Sequence, residues 1–329
     1  MQIKCPVQKL FFVFAIVLVL LINGCTYMGV RSIPLDDLKQ KYASDTSEFI
    51  PVNGMNVHLR DEGNGPVLLL LHGVLASLHT WDGWIPELKK NYRVIRIDLP
   101  GFGLTGAENP GEFNIDLVKD TVIKILDSKK IERVTLIGNS FGGYLSWQLA
   151  VDYPERVERI VAIDAKSFPQ KWPWLLKLVA SFPTKYFAPH IAPRPTVSIG
   201  VHQVYGDNDL ITSETIKRYH DLLMREGNRE SMISIFKWVK SSDMPYSSPP
   251  DKKLLEIRQP LMTMWGKKDA WIPYEQVGKK WQAAYPDAVH KVYEDAGHIP
   301  MEEAPATTVK DLLDFLCKTN PDLGYECLL

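Results

Sequence analysis

Ile137-Gly138-Asn139-Ser140-Phe141-Gly142-Gly143 is the stretch on which the fold of this chain turns. Ahead of it, Arg133–Ile137 is β-branched and apolar, the pattern of a buried strand. Behind it, Tyr144–Ala150 reads as a helix with two apolar faces. Between the two lies G-x-S-x-G, which is required when a serine stands on a very tight strand-to-helix turn. Gly138 and Gly142 remove side chains that would collide across that turn, and Gly143 lets the new helix pack closely. The geometry lifts the hydroxyl of Ser140 out of the sheet and sets a helix N-terminus beneath it. A glycine-rich turn with an incidental serine is the plainer alternative, and the residues that could serve Ser140 decide between them.

Working outward, strands and helices alternate. Asn53-Gly54 between Glu48–Val52 and Met55–Asp61 marks a hairpin. Val67–Leu71 is a continuous apolar run, a strand covered on both faces, followed at once by His72-Gly73-Val74. Trp81–Lys90 reads as a helix, Tyr92–Asp98 as a strand, and Leu99–Gly103 as a tight loop. Ile115–Ser128 is an amphipathic helix and Val157–Asp164 another strand. The rhythm breaks at 165–250, where prolines and tryptophans precede helical stretches at Ser213–Arg225 and Glu230–Lys240. It resumes with strands at Pro260–Trp265 and Val289–Tyr293 and a helix at Thr307–Cys317. This order predicts a mostly parallel α/β sheet with right-handed crossovers and a helical insertion over its C-terminal edge.

A serine hydroxyl needs a base, and the base needs an acid to hold its tautomer. Of the eight histidines (His58, His72, His79, His190, His202, His220, His290, His298), only His298 lies in a loop just after the last strand. That places it at the edge where parallel strands present ligand groups. Asp269, in the loop after the preceding strand, is the expected acid; Asp164 competes with it, and Asp98 is a weaker third candidate that suits capping its own loop. The oxyanion donors are expected to be the backbone N–H groups of Phe141 and Val74, with His72 bracing the Val74 loop. No metal-ligand spacing and no dinucleotide fingerprint is present, so neither metal nor cofactor is expected.

Four motifs in order, HGV at 72–74, DLPGFG at 98–103, GNSFGG at 138–143, and GKKDAWIP with AGHIP, make the chain resemble the α/β-hydrolase superfamily over residues 48–318. The resemblance implies a mostly parallel sheet of about eight strands. Its core would span 48–164 and 251–329, with a cap at 165–250. It also implies a Ser140–His298–Asp269 triad. GNSFGG is similar to the elbow of hydrolases that cleave carbon–carbon bonds in ring-fission products. Those enzymes usually carry a more glycine-rich loop where this chain has HGVLASLHTW. Ser140 excludes relatives with an aspartate nucleophile. The expected activity is hydrolysis of a small or medium carboxylic ester with an apolar part. Carbon–carbon hydrolysis, cofactor-free perhydrolysis and a silent ligand-binding module are the alternatives.

The 329 residues carry a formal charge of −1 with no run of one sign, which gives no reason to expect nucleic acid. At the N-terminus, Lys4 and Lys9 precede an apolar run from Leu10 to Ile22 and then Asn23-Gly24-Cys25. The run is shorter than the roughly 20 residues that span a bilayer and suits a secretory signal. Its end resembles a bacterial lipoprotein signal, which implies cleavage of 1–24, lipid on Cys25 and a cell-envelope location facing the periplasm. A plain cleaved signal or a signal anchor is the alternative. Residues 25–47 read as a tether with a short helix near Asp36–Tyr42, and Cys317 with Cys327 suggests a disulfide pinning the tail. Oligomeric state and substrate identity are left open.

Overall fold

The computed structural model describes residues 28–171, 173–179, 181, 184–240 and 252–319. Eight strands form one sheet: β1 (Ser47–Val52), β2 (Met55–Glu62), β3 (Val67–Leu71), β4 (Arg93–Ile97), β5 (Val134–Asn139), β6 (Val157–Ile163), β7 (Leu261–Gly266) and β8 (Val289–Tyr293). Their spatial order is β1-β2-β4-β3-β5-β6-β7-β8. β1 and β2 pair antiparallel through the Asn53-Gly54 turn, where both residues have positive φ. β2 also runs antiparallel to β4, and every later pairing is parallel.

This topology positions the site. β3 is flanked by β4 on one side and β5 on the other, so the order of strands reverses there and a crevice opens at the strands' C-terminal ends. The loops after β3, β5, β6, β7 and β8 all emerge at that edge, and they carry Val74, Ser140, Asp164, Asp269 and His298 in turn. Leu68–Leu71 are fully buried under helices on both faces, each worth about 1.5–3 kcal/mol of transfer energy. That is why β3 reads as an unbroken apolar run.

The helix expected over Trp81–Lys90 is not continuous. A 3-10 turn covers Leu78–Trp81, and only the short helix α2 (Ile85–Leu88) follows. Pro86 cannot donate to a helical ladder and so sits in the first turn of α2. The Leu78 N–H is meanwhile drawn onto the Asp98 carboxylate at 2.8 Å. Elsewhere the expected elements differ from the observed ones by a few residues at their ends.

Between β6 and β7 the described residues fold into helices α5 (Trp174–Val179), α6 (Thr184–Phe187), α7 (Arg194–Val204), α8 (Ser213–Leu223) and α9 (Asn228–Lys240). They lie over the strands' C-terminal edge. Residues 28–46, within the expected tether, are packed against this cap. Helix α1 (Leu35–Tyr42) buries Leu38 completely, and Ile33 donates its N–H to Met224 O at 2.8 Å. Among the described residues no helix is long and apolar enough to cross a membrane. The signal segment, Cys25 and Cys327 fall outside the described residues.

Candidate active site

Helix α4 (Phe141–Asp152) starts directly after β5, leaving Ser140 alone in the turn. Its backbone lies at φ 55° and ψ −111°, a strained conformation for a residue with a side chain. Glycines make the turn possible. A Cβ on Gly138 would fall 2.2 Å from Gly142 O, and one on Gly142 would fall 2.0 Å from Leu71 O of β3. Gly142 is therefore required by the neighbouring strand as well as by the turn. Because α4 begins at Phe141, the Phe141 N–H belongs to the first turn and has no intrahelical acceptor.

The loop after β3 runs alongside. A Cβ on Gly73 would stand 3.0 Å from the Ser140 Cβ, which brings Val74 to the serine. His72 holds this loop from within: its Nε2 accepts from the Leu99 N–H at 3.0 Å, and its Nδ1 donates to Gly73 O at 2.7 Å. Complete burial lowers its pKa and keeps the ring neutral, in the tautomer those two bonds demand.

His298 and Asp269 meet. The His298 Nδ1 donates to Asp269 Oδ2 at 2.8 Å, and both residues are buried. The other carboxylate oxygen accepts from the Trp271 and Ile272 N–H groups at 2.7 and 2.9 Å. Asp269 is thus held by three donors that fix its direction, with the Trp271 ring 5.7 Å from the imidazole. The rival acid, Asp164, sits behind this pair and does not bond His298. Its Oδ1 accepts from Gly266 N–H at 3.0 Å. Burial, and then the charge of Asp269, push the Asp164 carboxyl well above its usual range, favouring the protonated acid.

Ligand atoms of Asp164, Asp269 and His298 lie within 4.8 Å of one another. The His298–Asp269 bond engages the nitrogen and oxygen a cation would need, and Asp164 is driven toward neutrality. That donor set fits proton chemistry better than a metal.

Asp98, the third candidate, is far from this chemistry in function. It accepts from Leu78 and Leu104 N–H groups, each at 2.8 Å, and pairs with His58 Nδ1 at 2.7 Å. Burial opposes its charge, but His58 beside it holds it well below the usual carboxylate range. It ties the DLPGFG loop to the hairpin.

Three residues matter here that sequence reasoning gave no role. Asn139 donates through Nδ2 to His298 O at 2.9 Å, tying the elbow to the histidine loop; its place inside G-N-S was the available signal. Lys166 is buried beside Ser140, its N–H donating to Ser140 O and its Nζ to Phe168 O at 2.8 Å. Burial lowers its pKa to about 7. Glu302, just past His298, accepts from Thr80, Tyr205, Arg218 and Tyr219 at 2.5, 3.0, 2.9 and 2.8 Å. It latches the cap to the core, and nothing local in the sequence announces it.

Two adjoining cavities meet over these groups. The larger, about 330 Å³, has Asn139 and His298 at its inner end and otherwise runs between mostly apolar side chains of the cap and of the loop after β3; among the described residues no Lys, Arg, Asp or Glu lines it. The smaller, about 60 Å³, is bordered by Ser140, Lys166 and Gln170. Val74, Leu176, Phe236 and Trp271 wall both.

The sequence signature of the alpha/beta hydrolase fold matches residues 66–305. The chain belongs to the α/β-hydrolase family. It is 26% identical over 276 residues to the 2-hydroxy-6-oxo-2,4-heptadienoate hydrolase of Pseudomonas putida, covering 83% of this chain and 97% of that one. Among solved structures, this α/β hydrolase is similar to the 2-hydroxy-6-oxo-6-phenylhexa-2,4-dienoate hydrolase of Rhodococcus sp. strain RHA1. That match has a TM-score of 0.72 at 20% identity and covers 82% of this chain and 98% of the other. It is also similar to a membrane phospholipase A, with TM-score 0.69 and 20% identity, over 95% of this chain and 99% of that one. At these identities the structural likeness speaks for the fold.

Proposed function

We propose that this α/β hydrolase cleaves carboxylic esters whose acyl part is apolar. Ser140 attacks the ester carbonyl while His298 takes its proton, and Asp269 holds the imidazole and stabilises its charge. The N–H groups of Val74 and Phe141 receive the developing oxyanion. The alcohol leaves with the proton from His298, and a water, deprotonated by His298, releases the acid and restores Ser140. The observation that carries this reading is the larger cavity: uncharged among the described residues, walled mostly by apolar side chains, and opening onto His298.

Carbon–carbon hydrolysis is the second reading, favoured by the heptadienoate hydrolase among the relatives and by one local feature. A ring-fission dienoate carries a carboxylate, and Lys166 with Gln170 borders the small cavity beside Ser140. A Lys166 pKa of about 7 leaves it only partly charged at neutral pH, a weak anchor for an anion. Steady-state turnover of p-nitrophenyl butyrate against turnover of a 2-hydroxy-6-oxo-dienoate tests the choice. The ester is expected to win; a dienoate preference of tenfold or more would replace ester cleavage by carbon–carbon cleavage.

We also propose that the chain is exported and held at a bacterial membrane by lipid on Cys25, as the Lys-flanked apolar run before Asn23-Gly24-Cys25 suggests. Metabolic labelling with a fatty acid, lost in Cys25→Ser, is the expected result. Unchanged labelling in that variant would remove the anchor.

A further inference from the structure

Eight of the ten exposed large apolar side chains among the described residues fall in two stretches of chain, 28–30 and 174–199, which the Ala192 N–H to Gly29 O hydrogen bond brings together. Trp174, Leu178, Tyr186, Phe187 and Ile191 lie on or between α5 and the start of α7; Ile199 is on α7, and Met28 and Val30 precede α1. Trp174, Tyr186 and Phe187 are 58%, 60% and 59% exposed. Single exposed apolar residues are ordinary on a folded protein, but a contiguous group of them marks a binding surface.

Leu178, Phe187 and Ile191 also line the larger cavity, so the cavity runs from His298 out to this face. Charge points the same way. From 165 to 206 the chain has Lys166, Lys171, Lys177, Lys185 and Arg194, and not one Asp or Glu. Lys166 faces inward, and Lys185 holds its Nζ 5.0 Å from the exposed Tyr186 ring. A stretch of cap that exposes apolar rings, carries cations and has no acid from 165 to 206 matches an anionic lipid surface, with aromatic rings at the headgroup level and lysines reaching phosphates.

The path of the chain names the same occupant. The described residues begin at Met28, and Gly29 O accepts from Ala192 N–H at 3.1 Å and from Arg229 Nη1 at 2.5 Å, on the flank of the patch. The apolar run Leu10–Ile22 comes shortly before that point in sequence. Two apolar features, one in the N-terminal segment and one on the cap, are therefore joined within a few residues of the same face.

We infer that this face of the cap rests on a lipid bilayer, and that the acyl chain entering the cavity belongs to a lipid ester drawn from that surface. The inference rests on the ester-hydrolase reading and adds to it where the substrate comes from.

The test uses the full chain reconstituted with vesicles of dioleoyl phosphatidylglycerol, measuring fatty-acid release from the vesicle lipid and turnover of soluble p-nitrophenyl butyrate in parallel. Trp174→Ser/Tyr186→Ser changes two patch side chains that do not line either cavity. The double variant is expected to keep soluble-ester turnover within twofold and to lose tenfold or more on vesicle lipid. Lys177→Glu is expected to lose about threefold on these vesicles, and much less on dioleoyl phosphatidylcholine. Wild-type protein that cleaves the soluble ester but not vesicle lipid would overturn the inference while leaving the ester reading in place. So would equal vesicle turnover in the double variant, and if that variant also separated a dimer the face would be an interface between copies. Wild-type protein active on neither substrate would end the ester reading and this one with it.

Discussion

At its inner end the larger cavity is bounded by buried polar groups whose directions are set by hydrogen bonds: Asn139 to His298 O, His298 to Asp269, Asp269 to two backbone N–H groups. At its outer end, Leu178, Phe187 and Ile191 are exposed and apolar, on or just after short helices that bury little of themselves. The contrast teaches what each end is for. The proposed chemistry requires a fixed proton path, and the glycines and strained Ser140 at the inner end supply fixed geometry. Recognition of an apolar chain requires only shape and the exclusion of water, which aliphatic side chains supply without fixed directions.

The contrast is broken most directly from within. Ser140→Ala or Asp269→Asn is expected to lower kcat for p-nitrophenyl butyrate by about 10⁴-fold with little change in folding, because each removes a group acting only on the transition state. A loss below tenfold in either would mean the inner end is not the catalytic one.

Next in size is the latch between the two ends. Glu302→Ala leaves Arg218, Tyr205 and Tyr219 without their shared acceptor, at a cost of about 2–4 kcal/mol. The Tm should fall by several degrees, and proteolysis should cut the cap before the core. An unchanged Tm would show that the cap stands by apolar packing alone.

Asp164 sharpens the comparison through pH. Its folded pKa is raised, so the stability of the protonated form is fully present below the unfolded value near 4 and is lost as pH rises through the folded value. Over that window the loss approaches about 1.4 kcal/mol per pH unit. Asp164→Asn keeps the shape and does not titrate. Denaturant midpoints measured from about pH 5 to 8 should therefore fall less in the variant than in wild type. Parallel curves would mean that Asp164 is ionised in the fold.

The smallest effect belongs to the outer end. Lengthening a p-nitrophenyl ester by one methylene should raise kcat/KM by up to about fourfold, from about 0.8 kcal/mol per buried CH₂, until the cavity is full. Phe187→Ala should flatten that slope without changing turnover of the acetate. A flat slope in wild type would place the acyl group elsewhere.

Much of the frame was legible in advance. Val67–Leu71 and Arg133–Ile137 announce themselves because buried parallel strands must be apolar on both faces, and Val157–Asp164 by its place in the alternation. Ser140 and His298 were legible because a tight elbow and a post-strand loop leave few residues that could serve. Preferring Asp269 over Asp164 rested on its place in the loop after the strand before the histidine's, and the fold adds the reason the two differ: of the pair, Asp269 reaches the imidazole. The helix expected at Trp81–Lys90 is reduced to Ile85–Leu88 because Pro86 must sit in a first turn and Trp81, Trp84 and Leu88 are buried without a continuous helix.

The sequence by itself determined the alternation of strands and helices, the elbow at Ser140 and the post-strand loops that carry Asp269 and His298, since these follow from local backbone demands and burial. Only the tertiary structure decided which carboxylate faces His298, that Glu302 gathers four donors from core and cap, and that exposed cap side chains line the way to the site. Those depend on residues distant in sequence meeting in space, 29 positions apart for Asp269 with His298 and 84 for Arg218 with Glu302, and no local pattern encodes such a meeting.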